Sequence, residues 1–171
     1  MQNYFELFDL KTSFFVDDEA LKKAYQAQVT RFHPDNFATK SQAEQLQALQ
    51  NTSLVNSAYT ALKTPLNRAS YLLNLENINP FDEKDTNMDA DFLISQIELR
   101  EQLENIKEQK DNLALDNFIE RVQDFIKDNV ASISEAFTQS RDLQEIKTLV
   151  RELKFYEQLN KEANILMDEW L

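Results

Sequence analysis

His33, Pro34 and Asp35 place the chain's only histidine, a helix-breaking proline and a carboxylate within three residues. Proline has no backbone N–H, and its ring drives the preceding residue out of the helical region. An amphipathic run through Lys22, Tyr25, Val29 and Phe32 should therefore stop at about Phe32. A ring that both donates and accepts is then left on a corner beside an acidic acceptor. Taken alone, the tripeptide reads as an ordinary helix-ending turn. Its surroundings give it a second meaning.

Other chemistries are excluded by composition. The chain has 171 residues and no glycine, whereas an average chain carries about 7%. Without glycine there is no phosphate-cradling loop of the usual kinds, so nucleotide binding by those routes is ruled out. The absence of cysteine removes disulfides, zinc ribbons and thiolate-ligated iron–sulfur clusters. With one histidine and no cysteine, neither a Cys–His pair nor a multi-histidine metal site can form. A Ser-His-Asp arrangement stays formally open, but nothing marks a nucleophile. The acid pairs Asp17/Asp18 and Asp89/Asp91 are better read as helix-start residues that complement the dipole than as acid–base machinery. The expectation is no catalytic residue, no metal, no cofactor and no enzyme activity.

The elements that must position the tripeptide are helical. A short apolar helix fits Tyr4, Phe5, Leu7 and Phe8. The next starts after Asp17, which can accept from orphan N–H groups of the first turn, with Val16 and Leu21 as a hydrophobic staple. A third is expected over about 41–62, with Leu46, Leu49, Leu54, Ala58, Ala61 and Leu62 on its apolar side. Thr64-Pro65 then reads as an N-cap followed by proline at the first helical position, opening a short helix with Leu66, Ala69, Leu72 and Leu73.

This arrangement resembles a J domain, the module with which co-chaperones stimulate a DnaK-type chaperone. In that family the His-Pro-Asp loop joins two long antiparallel helices. Tyr25 and Phe32 match the family's aromatic positions before the loop, whereas Gln28 stands where leucine is usual and Asn36 where lysine often follows. The resemblance implies that His33, Pro34 and Asp35, with the basic residues Lys22, Lys23 and Arg31, engage the chaperone. The missing glycine also removes the Gly/Phe-rich linker of general-purpose J proteins.

Charge argues for two domains. Residues 1–75 balance their acids and bases, so the whole net charge of −12 falls on the remainder. The break lies in 76–88, where Asn77, Asn79, Pro80, Asp82, Asp85 and Asn87 supply turn chemistry, and this stretch reads as a linker. Three helices are expected beyond it, over about 89–109, 116–138 and 142–170. Their apolar residues recur at three-and-four spacing: Phe92, Leu99, Leu103 and Ile106; then Phe118, Val122, Phe125, Ile126, Ile133 and Phe137; then Leu143, Ile146, Val150, Leu153, Leu159, Ala163, Leu166 and Trp170. Short connections make neighbours antiparallel, giving an all-α chain that ends in a three-helix bundle. So acidic a chain would repel nucleic acid and anionic membranes. No apolar stretch approaches a membrane span and no signal or transit sequence is visible, so a cytoplasmic protein is expected.

Four apolar residues do not fit the buried faces. Leu93, Ile94 and Ile97 head stripes that continue through Glu98, Glu101, Glu104 and Glu108. Phe155 has Arg151, Glu152 and Gln158 as helical neighbours. The residues alone leave two readings open: a surface covered by the first domain, or an exposed patch that holds a partner. Here the resemblance narrows to J-domain co-chaperones of iron–sulfur cluster assembly. It rests on Pro65-Leu66-Asn67-Arg68-Ala69-Ser70-Tyr71-Leu72-Leu73, on Phe92-Leu93-Ile94 and on Glu98-Leu99-Arg100-Glu101. It implies that the J domain serves the specialised chaperone HscA and that the bundle carries the scaffold IscU, on which clusters are built. The scaffold-binding positions then fall on Leu93, Ile94, Ile97, Glu98, Glu101 and Phe155. The competing readings are a J protein serving a general DnaK-type chaperone with another client, and a helical adaptor without chaperone coupling.

Overall fold

Every α-helix among the described residues begins behind a residue whose side-chain oxygen accepts from the first turn, and one of them is also opened by a proline. The computed structural model describes residues 2–85 and 88–171; Asn87, read above as part of the turn-forming stretch, lies with Thr86 outside them. The described residues form seven α-helices and no strand, so the fold is all-α. They divide into two compact units, Met1–Leu75 and Glu76–Leu171.

In the first unit, α1 (Tyr4–Leu7) is opened by a capping box: the Asn3 side chain accepts from the Glu6 N–H while Glu6 accepts from the Asn3 N–H. Asp17 caps α2 (Asp18–Arg31) by accepting from Glu19 and Ala20. Ser41 caps α3 (Gln42–Lys63) by accepting from Glu44, and Thr64 accepts from Asn67 at the start of α4 (Pro65–Leu75). Helices α2 and α3 run antiparallel. The Tyr25 ring stacks on Tyr59 at 4.1 Å and its hydroxyl donates to Asn56, while nearer the loop Thr52 donates to the Phe32 carbonyl.

The core of this unit is Phe5, Phe8, Leu21, Val55, Ala58 and Leu62, with Val16, Val29 and Phe32 packed against it. Gln28, where leucine is usual in J domains, donates to the Leu7 carbonyl and so ties α2 to α1. The Arg68 side chain is buried and donates to the carbonyls of Phe14 (2.6 Å) and Leu62 (2.8 Å), with its guanidinium over the Phe14 ring. Burial pulls its pKa below the usual arginine value, against the opposing charge of Asp18.

The phase of α3 agrees with expectation at Ala58 and Leu62, which are buried, and differs from it at Leu46, Leu49 and Leu54. Leu46, Leu49 and Leu54 are 56%, 64% and 46% exposed, and Ala48, Val55, Ala58 and Leu62 are the buried residues. At about 100° per residue, Val55, Ala58 and Leu62 define one stripe that extends back to Ala48. Leu46 lies about 200° around the helix from Ala48. The small residues let α2 approach closely, and the leucines fall outside.

The second unit is the expected three-helix bundle, built from α5 (Ala90–Gln109), α6 (Asn112–Thr138) and α7 (Leu143–Trp170). Helix α6 starts four residues before its expected position. Asp111 caps it by accepting from the Ala114 N–H, and Leu115 at its first turn is fully buried. The core joins Phe92, Leu99 and Leu103 of α5 to Phe118, Ile119 and Val122 of α6 and to Leu159, Ala163 and Leu166 of α7. Phe125 is 38% exposed, contrary to expectation, and packs at the rim against Tyr156. The segment 76–85, read as linker, belongs to this unit. Asp85 pairs with Lys147 and Arg151, and the Lys154 ammonium sits over the Phe81 ring.

A chain without glycine must still end its helices. Asp9, Lys110 and Ser140 take left-handed backbone angles (φ 55°, 50° and 51°). Each sits in a Schellman ending, with N–H donation from Leu10 to Phe5, Asp111 to Ile106 and Arg141 to Ala136. Left-handed angles cost a residue with a Cβ about 1–2 kcal/mol. Lys110→Gly and Ser140→Gly are therefore each expected to raise unfolding free energy by about 0.5–1 kcal/mol. Urea denaturation measures this, and an unchanged or lowered midpoint would refute it.

Candidate functional site

The His33 loop is held by a framework that extends well beyond the tripeptide. Helix α2 closes with the Phe32 N–H donating to the Gln28 carbonyl, and Pro34 then opens a 3₁₀ turn, Pro34–Phe37. The Asp35 N–H donates to His33 Nδ1 at 3.2 Å, and the Asn36 N–H donates to the His33 carbonyl at 3.0 Å. With Nδ1 accepting, the proton of the neutral ring belongs on Nε2. The His33 and Asp35 side chains remain 53% and 91% exposed, with Nδ1 to carboxylate at 3.6 Å. The corner thus presents a ring N–H donor and a free carboxylate acceptor at fixed separation.

Three residues that sequence reasoning did not single out as holding the loop do so. The Asn36 amide donates to the Thr30 carbonyl at 2.7 Å and caps the end of α2. Gln45 of α3 donates to the carbonyls of Phe37 and Lys40, each at 3.2 Å, and Thr52 supports Phe32. Behind the turn, Phe32, Phe37 and Leu49 line a cleft of about 300 Å³.

The three basic residues of α2 are all exposed but do not converge. Arg31 adjoins the loop, with its guanidinium 5.2 Å from the Phe32 ring centre. Lys22 and Lys23 lie about 12–14 Å further along the axis. Lys23 is about 80° from Arg31 around the helix, whereas Lys22 is about 180° away.

On the bundle, Asp89 caps α5 and fixes its phase, with Phe92, Leu99 and Leu103 inward. Leu93, Ile94 and Ile97 are consequently outward, at 47%, 54% and 52% exposed, with Glu98 and Glu101 exposed beside them. These five residues share the outer side of one helix.

Phe155 does not join them as an exposed residue. It is 8% exposed, edge-on to Phe92 at 5.7 Å, and capped by the Arg100 guanidinium, which pairs with Glu162 at 3.1 Å. Its polar neighbours gave the wrong face. The correct signal was the run Phe155, Leu159, Ala163, Leu166, which is the buried stripe of α7. Phe155 is the floor beneath Leu93; both line one cleft.

Among the described residues, no group of three or more potential ligands could hold a metal ion, and no helix is long and apolar enough to cross a membrane. Glu152 and Glu157 on α7 have carboxyl pKa values raised by burial, with Asp89 adding repulsion at Glu152.

Residues 3–71 match the DnaJ domain family, and residues 88–164 match the family described as the HSCB C-terminal oligomerisation domain. The chain is 38% identical to the "Co-chaperone protein HscB homolog" of Vibrio campbellii, over 99% of both sequences. Its structure is similar to the chaperone HscB from Vibrio cholerae, with a TM-score of 0.88 and 38% identity over 99% of this chain and 100% of that one. It is also similar to human co-chaperone protein HscB, with a TM-score of 0.89 and 32% identity over 96% of this chain and 82% of that one.

Proposed function

We propose, from the premise that this chain belongs to the HscB family of J-domain co-chaperones, that it stimulates the ATPase of the DnaK-type chaperone HscA and delivers the scaffold IscU to it. The work is done in the cytoplasm, and its product is iron–sulfur proteins supplied with clusters. The observation that carries the reading is the braced His33-Pro34-Asp35 corner, which holds a donor and an acceptor outward on an otherwise ordinary helical hairpin.

In this reading His33 and Asp35 are positioned contacts and not catalytic groups. The His33 Nε2–H and the Asp35 carboxylate favour the hydrolysis-competent state of the chaperone, which performs the chemistry itself. Pro34 fixes the corner. Arg31, Lys23 and Lys22 add long-range attraction to an acidic chaperone surface, with Arg31 the strongest because it lies beside the loop. Leu93, Ile94 and Ile97 supply the apolar centre of the scaffold contact, Glu98 and Glu101 its charged rim, and Phe155 the support beneath.

One chain holding both partners converts a second encounter into an intramolecular one, at an effective concentration of order millimolar for short connections. Steady-state ATP turnover of HscA provides the test. The full chain should raise it alone, and IscU added with the chain should raise it by more than the sum of their separate effects. A simple sum of the two separate effects would remove the delivery role.

A further inference from the structure

Between His33 and α3 the backbone supplies little stiffness of its own. Pro34 fixes one φ, and no residue of the segment takes a left-handed angle. Its backbone bonds are short in range, such as Asn36 N–H to the His33 carbonyl and Lys40 N–H to the Phe37 carbonyl. Side-chain amides close the segment at both ends. Asn36 Nδ2 donates to the Thr30 carbonyl at 2.7 Å and fastens the entry to the last turn of α2. Gln45 Nε2 reaches the carbonyls of Phe37 and Lys40 at 3.2 Å and that of Ala38 at 3.5 Å, and fastens the exit to the first turn of α3. Both residues are exposed and could spend their donors on water, yet both donate inward. At Asn36, where lysine often follows the tripeptide in J domains, an outward charge has been exchanged for an inward bond.

We propose that Gln45 and Asn36 are positioning residues for the chaperone contact, two amide clamps that keep Asp35 against His33 so that ring and carboxylate meet the chaperone in one arrangement. The proposal rests on the reading of His33-Pro34-Asp35 as the stimulating contact and extends it. The path to the ring is short. The Asp35 N–H can donate to Nδ1, at 3.2 Å, only while the 3₁₀ turn Pro34–Phe37 is kept, and the clamps hold that turn from within and from its far end. Releasing either lets Asp35 leave the ring, which frees the tautomer and the direction of the carboxylate together. Both clamps act through loop carbonyls, leaving Nε2 and the carboxylate themselves chemically intact. Their loss should therefore be felt less in docking than in what the docked corner does, because orientation counts most in the reacting arrangement.

The test is titration of the full chain into HscA, reading the maximal gain in ATP turnover and the half-saturating concentration separately. Gln45→Met keeps the length and helix propensity of the side chain and removes its donor. It is expected to lower the maximal gain about tenfold, to hold half-saturation within about twofold and to leave the melting temperature near the parent's. His33 is the only histidine, so its ring nitrogens give one resolvable pair of NMR signals. With the ring neutral, these should move in Gln45→Met from the Nε2–H tautomer toward a mixture. Gln45→Lys restores N–H donors at similar reach and should recover most of the gain and of the parental signals. Full stimulation by Gln45→Met beside an inactive His33→Gln would overturn the clamps and leave the corner's role standing; full stimulation by both would remove that role as well. A lowered gain with unchanged His33 signals, or one that Gln45→Lys does not relieve, would also overturn the proposal. Should Gln45→Met melt early, Asn36→Leu, which removes the other donor from an exposed loop position at equal size, decides by the same two readouts.

Discussion

Replacing His33 by glutamine is expected to abolish stimulation of chaperone ATP turnover while leaving the helical circular-dichroism spectrum and the melting temperature nearly unchanged. Stability should hold because the ring is half exposed and contributes one local hydrogen bond, from the Asp35 N–H to Nδ1. A single such bond is worth about 1 kcal/mol. The corner keeps its other ties, from Asn36 to Thr30, from Gln45 to Phe37 and from Thr52 to Phe32. Function should fall because glutamine cannot reproduce the ring. Imidazole fixes an inward acceptor and an outward donor on opposite sides of one rigid plane, whereas a glutamine amide adds rotatable bonds and frees the Asp35 segment. Asp35→Asn should fail in the same assay, since it removes the carboxylate charge without changing shape. A His33→Gln protein that stimulates as well as the parent would reduce the tripeptide to a turn.

The ends of α2 were legible because each is set by one nearby residue. Asp17 supplies oxygen to the first turn, and Pro34 denies the helix its next donor. The same holds for Ser41, Thr64, Asp89 and Asp142, all local acceptors ahead of apolar periodicity. The start of α6 escaped because Lys110 takes a left-handed angle that is ordinarily given to glycine. Its turn therefore carried no sequence mark, although Asp111 was a suitable cap.

What the sequence concealed were interactions that carry no period. Asn36 to Thr30, Gln45 to Lys40 and Thr52 to Phe32 span five to twenty residues and use amides or hydroxyls common on any surface. Arg68 is similar: a lone arginine in sequence, a buried tie between Phe14 and Leu62 in the fold. The α3 leucines show the opposite failure, in which size outweighed phase. Large apolar residues drew the expected face toward Leu46 and Leu49, yet alanine at 48 and 58 marks where another helix comes close.

Phe155 and the exposed α5 residues separate core from contact within one surface, and truncating them should give opposite signatures. Phe155→Ala removes a ring that is 8% exposed and packed edge-on to Phe92. Such truncations cost roughly 3–5 kcal/mol. In a bundle of this size that is a large share of total stability, so the variant should melt far below the parent and lose scaffold binding through its unfolded fraction. Leu93→Ala combined with Ile97→Ala removes two side chains about half exposed. Surface changes of this kind fall within about ±0.5 kcal/mol apiece, so the melting temperature should hardly move. If these residues centre the scaffold contact, each truncation costs about 2 kcal/mol of affinity, and the pair weakens binding by roughly two to three orders of magnitude. Stimulation of the chaperone without scaffold should persist in the double variant, because His33 belongs to the other unit. Calorimetric melting and scaffold titration on the same samples resolve the two effects. A double variant that melts early but binds normally in its folded fraction would assign Leu93 and Ile97 to packing, and the client would then have to be sought on another face.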